Sequence, residues 1–185
     1  MYIAKLGYII VSIVLAFFGL GLIFNENYAT NKLGIICAII MVLFGVVKLV
    51  AYYSKDLYRL AFQFDFEFGI LSLIIGLFMV IHKNFAIMHL AMIVAIVILA
   101  DALFKIRIIL EAKEFGIVTW FLSLICDAIV IILCNCVFFV PMELMIKVFG
   151  LALIATAALN LSIALAMVKI VKHQCLEEEK VNYRK

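Results

Sequence analysis

The feature that most constrains this chain is the alternation of long apolar runs with short clusters of charged residues. A helix needs about 20 consecutive, mostly apolar residues to cross the hydrocarbon core of a bilayer. The 185 residues are 69% hydrophobic and only 15% charged, and a soluble domain of this size cannot bury so much apolar side chain. The sequence therefore predicts an all-α, polytopic membrane protein.

The apolar runs predict about six transmembrane helices, grouped as three repeated hairpins. The predicted spans are roughly 6–24, 33–53, 66–81, 86–104, 115–137 and 146–170. The hairpins, at about 6–53, 66–104 and 115–170, form one transmembrane domain over residues 1–171. Residues 172–185 are predicted to form a polar cytoplasmic tail.

The positions of the basic residues predict the orientation, because Lys and Arg concentrate on the cytoplasmic side of membrane proteins. With six spans, 12 of the 15 Lys and Arg residues lie at span ends on the same side of the membrane. The other three are Lys32, Lys83 and Lys147. We therefore expect both chain ends to lie in the cytoplasm.

An internal repeat supports the hairpin arrangement. One constant shift along the chain places Gly19 on Gly76 and Lys48 on Lys105. A second match aligns residues 67–70 with residues 114–117, both Glu-Phe-Gly-Ile, and each segment is expected to open a helix from the inner side. Together the two matches predict three hairpins of similar structure.

The glycine patterns resemble those of the HdeD-like short-repeat membrane proteins. The segments that carry the resemblance are Phe18-Gly19-Leu20, Leu33-Gly34-Ile35 through Phe44-Gly45-Val46, and Gly69-Ile70 through Ile75-Gly76-Leu77. The resemblance implies a bacterial inner-membrane protein associated with acid resistance, with no established biochemical activity and no catalytic residues. The chain departs from the family pattern at Asp127, Cys134 and Cys136.

Asp127 is predicted to lie near the middle of the fifth span, where an acidic side chain is costly. Thr119, Ser123 and Asp127 recur every four residues and so share one helix face. Asn160, in the sixth span, is expected at a similar depth, where it could hydrogen-bond to Asp127. These residues are a candidate intramembrane polar site, either as a proton relay or, more simply, as a hydrogen-bonded link between helices.

Two further pairs of residues are candidate sites. Lys48 and Asp101 lie near the inner boundary, either as an ion pair or, more simply, as separate interfacial anchors. His82 and His89 flank the predicted outer turn of the second hairpin. Because histidine changes charge between about pH 5 and 8, they are candidate sensors of external acid; the alternative is that they are ordinary loop residues.

The sequence contains no pattern typical of a catalytic site, a metal site, a cofactor site or a nucleic-acid-binding surface. We therefore expect a protein that is not an enzyme and whose partners are the lipid bilayer and either further copies or other membrane proteins. The predicted function is structural or stress-protective. The alternative is a transporter or channel for protons or small solutes, with Asp127 in the pathway.

Overall fold

The protein is all-α, with six helices in the described part of the chain. A computed structural model describes the backbone of residues 2–24, 31–53, 65–114 and 116–182. The helices are α1 (Tyr2–Phe24), α2 (Asn31–Tyr53), α3 (Asp65–Ile81), α4 (Lys83–Glu114), α5 (Trp120–Phe139) and α6 (Met142–Asn182). The predicted fold class is therefore confirmed. Within the described residues, three helical segments are long and apolar enough to cross a membrane: Leu6–Phe24, Trp120–Phe139 and Leu144–Leu165.

Two helices extend well beyond their predicted ends. α4 continues to Glu114 instead of ending near residue 104, and α6 continues to Asn182 instead of ending near residue 170. The predictions ended both spans at charged residues. However, Lys, Arg and Glu are good helix formers, so a helix that leaves the apolar layer need not end there. Most of the predicted polar tail is thus a continuation of α6.

Gly116 ends α4 and corrects one prediction from the repeat. Its φ is 67°, and its amide donates to the carbonyl of Lys113 at 2.9 Å while the amide of Ile117 donates to Ala112 at 3.1 Å. These two bonds form a Schellman motif, in which glycine takes the left-handed conformation. The segment 114–117 therefore closes α4, whereas the matching segment 67–70 lies inside α3.

The helices pack as a ring. α3 packs extensively against α2, α1 against α6, and α5 against both α4 and α6. α4 also contacts both α2 and α6. In the first hairpin, α1 and α2 contact each other less than they contact α6 and α3, respectively. In the second hairpin, α3 and α4 likewise contact each other less than they contact α2 and α5. The helices of the repeated hairpins are thus arranged in a ring.

Pairs of glycines bring two of these helix pairs close together. A Cβ atom on Gly19 of α1 would lie 2.6 Å from the carbonyl oxygen of Gly150 of α6, and a Cβ on Gly150 would lie 2.8 Å from that of Gly19. Gly45 of α2 and Gly69 of α3 meet in the same reciprocal way, at 2.8 and 3.2 Å. Small residues allow backbones to approach this closely in membrane helices.

The surface is apolar and the interior contains charged groups. Phe17, Ile74 and Ile132 are 60% or more exposed, whereas Lys48 and Asp101 are 1% and 3% exposed. In a protein surrounded by water the opposite distribution is usual. The packing is therefore typical of a protein whose outer face contacts lipid.

Candidate functional site

Four polar side chains from three helices meet in the interior. The Asp101 Oδ1 atom accepts a hydrogen bond from Lys48 Nζ at 2.7 Å, and Asp101 Oδ2 accepts one from Lys105 Nζ. Lys105 Nζ also donates to Oδ1 of Asn160. All four side chains are buried, with at most 4% of each residue exposed. We refer to Lys48, Asp101, Lys105 and Asn160 as the charge cluster.

The lengths of the helices place these residues at one level. Lys48, Asp101 and Asn160 lie at nearly equal distances along the chain from the first residues of α2, α4 and α6. Because an α-helix rises by about 1.5 Å per residue, these positions differ by less than one turn along neighbouring helices. Lys105 follows Asp101 by one helical turn and therefore lies on the same face of α4.

Aromatic rings surround the ammonium group of Lys48. Its Nζ atom lies 5.1 Å from the centre of the Phe44 ring and 5.6 Å from that of Phe68. At such distances the faces of aromatic rings attract a cation. Lys48 is thus held by the Asp101 carboxylate and by rings from α2 and α3, rather than by water at the membrane boundary.

Asp127 of α5 lies beside the charge cluster, but its Oδ1 atom makes no hydrogen bond within the described residues. The residue is 1% exposed and lies within Coulombic range of Lys105 and Asp101. Two lysines and two aspartates give this region a formal charge of zero. Without Asp127, the buried region would carry a net positive charge, which an apolar interior strongly disfavours.

The expected hydrogen bond between Asp127 and Asn160 is not formed. Asp127 Oδ1 and Asn160 Nδ2 both lack a hydrogen-bond partner within the described residues. The amide oxygen of Asn160 instead accepts from Lys105. The prediction left out Lys105 of α4, whose ammonium group is the hydrogen-bond partner of Asn160.

The other polar residues of α5 lie where helical spacing places them. Ser123, Asp127 and Cys134 are buried on one face of the helix. Thr119 is the N-cap residue, but its hydroxyl makes no capping hydrogen bond. Ser123 Oγ donates to the carbonyl of Thr119 at 3.3 Å. Cys136, near the C-terminal end of α5, is half-buried and its thiol is free.

The two histidines do not lie in one loop. His82 is the single residue between α3 and α4; it is exposed, and its ring stacks on Phe78 with centroids 4.6 Å apart. His89 lies inside α4, in the second turn of the helix, and is half-buried. A function for either histidine in sensing acid stays a prediction.

The sequence indicates the Lys48–Asp101 pair and the Asp127–Asn160 pair as two separate candidates. The structure brings them together through Lys105, which contacts Asp101 and Asn160. The internal repeat carried a signal for this residue, since the shift that relates the hairpins superimposes Lys48 on Lys105. Within the described part of the chain, no three His, Cys, Asp or Glu side chains are placed to hold a metal ion.

Comparison with known families agrees with the repeat. A short repeat of unknown function (DUF308) matches residues 10–81 and again residues 68–140. The offset between the starts of the two copies is close to the shift that places Gly19 on Gly76. No curated protein and no solved structure matches the chain. The two copies cover more than half of the 185 residues, and the chain therefore belongs to this family, the HdeD-like family that its glycine patterns indicate.

Proposed function

We propose that this protein is a structural, stress-protective protein of the bacterial inner membrane. It acts through the packing of its own helices and through contacts with further copies or with other membrane proteins, and it catalyses no reaction. In this proposal all six helices cross the bilayer and both chain ends lie in the cytoplasm. The distribution of the basic residues supports that orientation.

The observation that carries the proposal is that the four residues of the charge cluster are buried and are bonded to one another. Asp101 binds both Lys48 and Lys105, and Lys105 also binds Asn160, so that α2, α4 and α6 are joined by polar contacts. A membrane protein that moves ions usually has polar groups facing a water-filled cavity. Here a cavity between α1, α2, α4 and α6 has a volume of only about 20 Å³, and apart from Thr156 its lining residues are apolar.

Protection against acid is the finer part of the proposal. It is supported by membership of the HdeD-like family and by the position of His82 at the exposed end of α3. In the proposed topology this end faces the outside of the cell, so that the exposed His82 side chain is in contact with the external medium.

A second candidate function is transport of protons or small solutes, with Asp127 in the pathway. The observation that favours it is that two interior atoms, Asp127 Oδ1 and Asn160 Nδ2, have no hydrogen-bond partner among the described residues. Ionisable residues within membrane spans often mark ion pathways. The two functions make different predictions for proton movement across a membrane.

The experiment that separates them uses liposomes with a pH-sensitive dye inside. The protein is reconstituted as the wild type or as Asp127→Asn, and an imposed pH gradient is followed over time. The structural function predicts that both proteins dissipate the gradient no faster than protein-free liposomes do. Faster dissipation by the wild type, abolished by Asp127→Asn in a folded protein, would reject the structural function and establish the transport function.

A further inference from the structure

A row of oxygen-bearing side chains leads along α5 from its first turn to the charge cluster. Thr119, Ser123 and Asp127 follow one another at one-turn intervals on one face of the helix, and Ser123 and Asp127 are 1% exposed. At about 1.5 Å per residue, the row is about 12 Å long. It begins at the turn between α4 and α5, where Val118 is 89% exposed.

Several polar atoms along this row lack a protein partner. Thr119 Oγ1 and Asp127 Oδ1 are buried without a hydrogen bond within the described residues. Asn160 Nδ2, in the charge cluster, is also buried without a hydrogen bond there. An N-cap threonine usually accepts a hydrogen bond from the backbone of its own helix. Thr119 does not, so its hydroxyl remains available to another group.

The orientation of the Asn160 amide is fixed by its neighbour. A lysine ammonium has only donors, so the amide oxygen must face Lys105 and the amide nitrogen must face another group. The buried interior thus holds a donor, Asn160 Nδ2, and an acceptor, Asp127 Oδ1, on either side of Lys105, which donates to Asn160 and lies within Coulombic range of Asp127. Water both donates and accepts hydrogen bonds, and buried polar groups without protein partners are commonly satisfied by it.

The same face of α5 becomes apolar beyond Asp127. Its next buried residues are Val130, Cys134 and Val137, each 0% exposed. The cavity between α1, α2, α4 and α6 is lined by apolar side chains, among them Phe44 and Leu153, and by Thr156, whose hydroxyl donates to the carbonyl of Ala152 at 2.7 Å. Apolar cavities stay dry even where a water molecule would fit. Beyond Asp127, the buried face of α5 thus offers water no carboxylate, amide or hydroxyl group.

We propose that water molecules bind along Thr119, Ser123 and Asp127 and reach Asn160, so that a hydrated path opens at the turn between α4 and α5 and ends at the charge cluster. The path would exchange water and protons with one side of the membrane only. Its assignment to the cytoplasmic side rests on the topology in the proposed function. The existence of the path does not, since it is argued from the atoms without partners.

The test is the reactivity of cysteines placed along the row towards silver ions, which reach thiols through narrow water-filled spaces. Ser123→Cys and Val130→Cys are compared in a full-length chain whose native cysteines are replaced by alanine. Silver is added to oriented membrane vesicles from either side. The protein is then denatured, and the remaining thiols are counted with a fluorescent maleimide. Ser123→Cys is nearly isosteric with the native residue, and Val130→Cys lies on the same buried face beyond Asp127.

Silver added from the cytoplasmic side should block Ser123→Cys about tenfold faster than Val130→Cys, because a thiol must be hydrated to form the reactive thiolate. Equal and slow blocking of both cysteines would reject the path. Fast blocking of both from either side would show a continuous channel and reject the closed end. Fast blocking of Ser123→Cys from the outer side alone would support the path and reject the proposed topology.

Discussion

At the scale of single residues, Asp101 has the most demanding environment. Its carboxylate binds two lysine ammonium groups in an interior that is otherwise mostly apolar. Removal of one partner from a buried ion pair leaves a charge without compensation, which is more costly than loss of the attraction alone. Exposed acidic residues lack this constraint, and Glu114 at the end of α4 is such a residue.

This environment predicts the result of a double-mutant cycle. Asp101→Leu should lower the free energy of unfolding by about 3–5 kcal/mol, because it leaves Lys48 and Lys105 without their shared partner. Lys48→Met should cost less, because Asp101 keeps Lys105. In the Asp101→Leu protein, Lys48→Met removes a stranded charge, so the two changes should show a coupling energy of about 0.5–3 kcal/mol.

Equilibrium unfolding in mixed detergent micelles measures each term of the cycle. Glu114→Gln is the control and should change the stability by less than about 0.5 kcal/mol. Additive effects of Lys48→Met and Asp101→Leu would contradict the observed ion pair.

The histidines allow a separate test of acid protection at the residue scale. If they sense external acid, a protein with both His82→Gln and His89→Gln should lose the survival benefit that the wild type gives to cells below about pH 6, since glutamine cannot gain a proton. Survival counts after acid challenge, at matched expression, measure the effect. Equal survival of cells carrying either protein would leave both residues without a function in sensing.

At the scale of helices, the glycine pairs decide which helices pack most closely. The reciprocal contacts of Gly19 with Gly150 and of Gly45 with Gly69 leave no room for a Cβ atom. Gly21, close to Gly19 on the same helix, has no atom within 4 Å of the position where its Cβ would lie. The chain therefore contains its own control for the effect of glycine in α1.

Gly19→Ala should destabilise the protein by about 1–3 kcal/mol, because the added methyl group forces α1 away from the backbone of α6. Gly21→Ala should be neutral or stabilise the protein by up to about 1 kcal/mol, because alanine is the better helix former. Thermal unfolding of the two variants in one detergent gives the comparison. A Gly19→Ala protein as stable as Gly21→Ala would show that α1 and α6 do not approach as closely as described.

The helices could be predicted from the sequence more fully than their ends or their contacts. Long apolar runs predicted six helices because the hydrophobic pattern is local. The end of α4 was missed because the Schellman motif at Gly116 depends on a single left-handed residue, and a glycine also fits inside a helix, as Gly69 does in α3. The charge cluster was predicted only in parts, since sequence spacing does not show which face of α6 meets Lys105.

At the scale of the whole molecule, the cyclic packing explains why a repeat of two helices produces one buried cluster. The even-numbered helices carry all four residues of the charge cluster, and α4 lies against both α2 and α6. The odd-numbered helices present large apolar side chains outwards, as Phe17 and Ile74 do. In the proposed topology this bundle lies in a bilayer, with the charge cluster nearer to the cytoplasmic face.

The most direct measurement of that claim is the accessibility of the native cysteines in intact spheroplasts. Cys136 lies near the C-terminal end of α5, which the proposed topology places outside, and Cys175 lies near the C-terminal end of α6, which it places inside. An impermeant thiol reagent, followed by mass spectrometry, should label Cys136 and leave Cys175 unmodified until the membrane is permeabilised. The buried thiol of Cys134 should remain unlabelled throughout, and Cys175→Ser is the control for assignment. Labelling of Cys175 from outside intact cells would contradict the six-span topology with both chain ends in the cytoplasm.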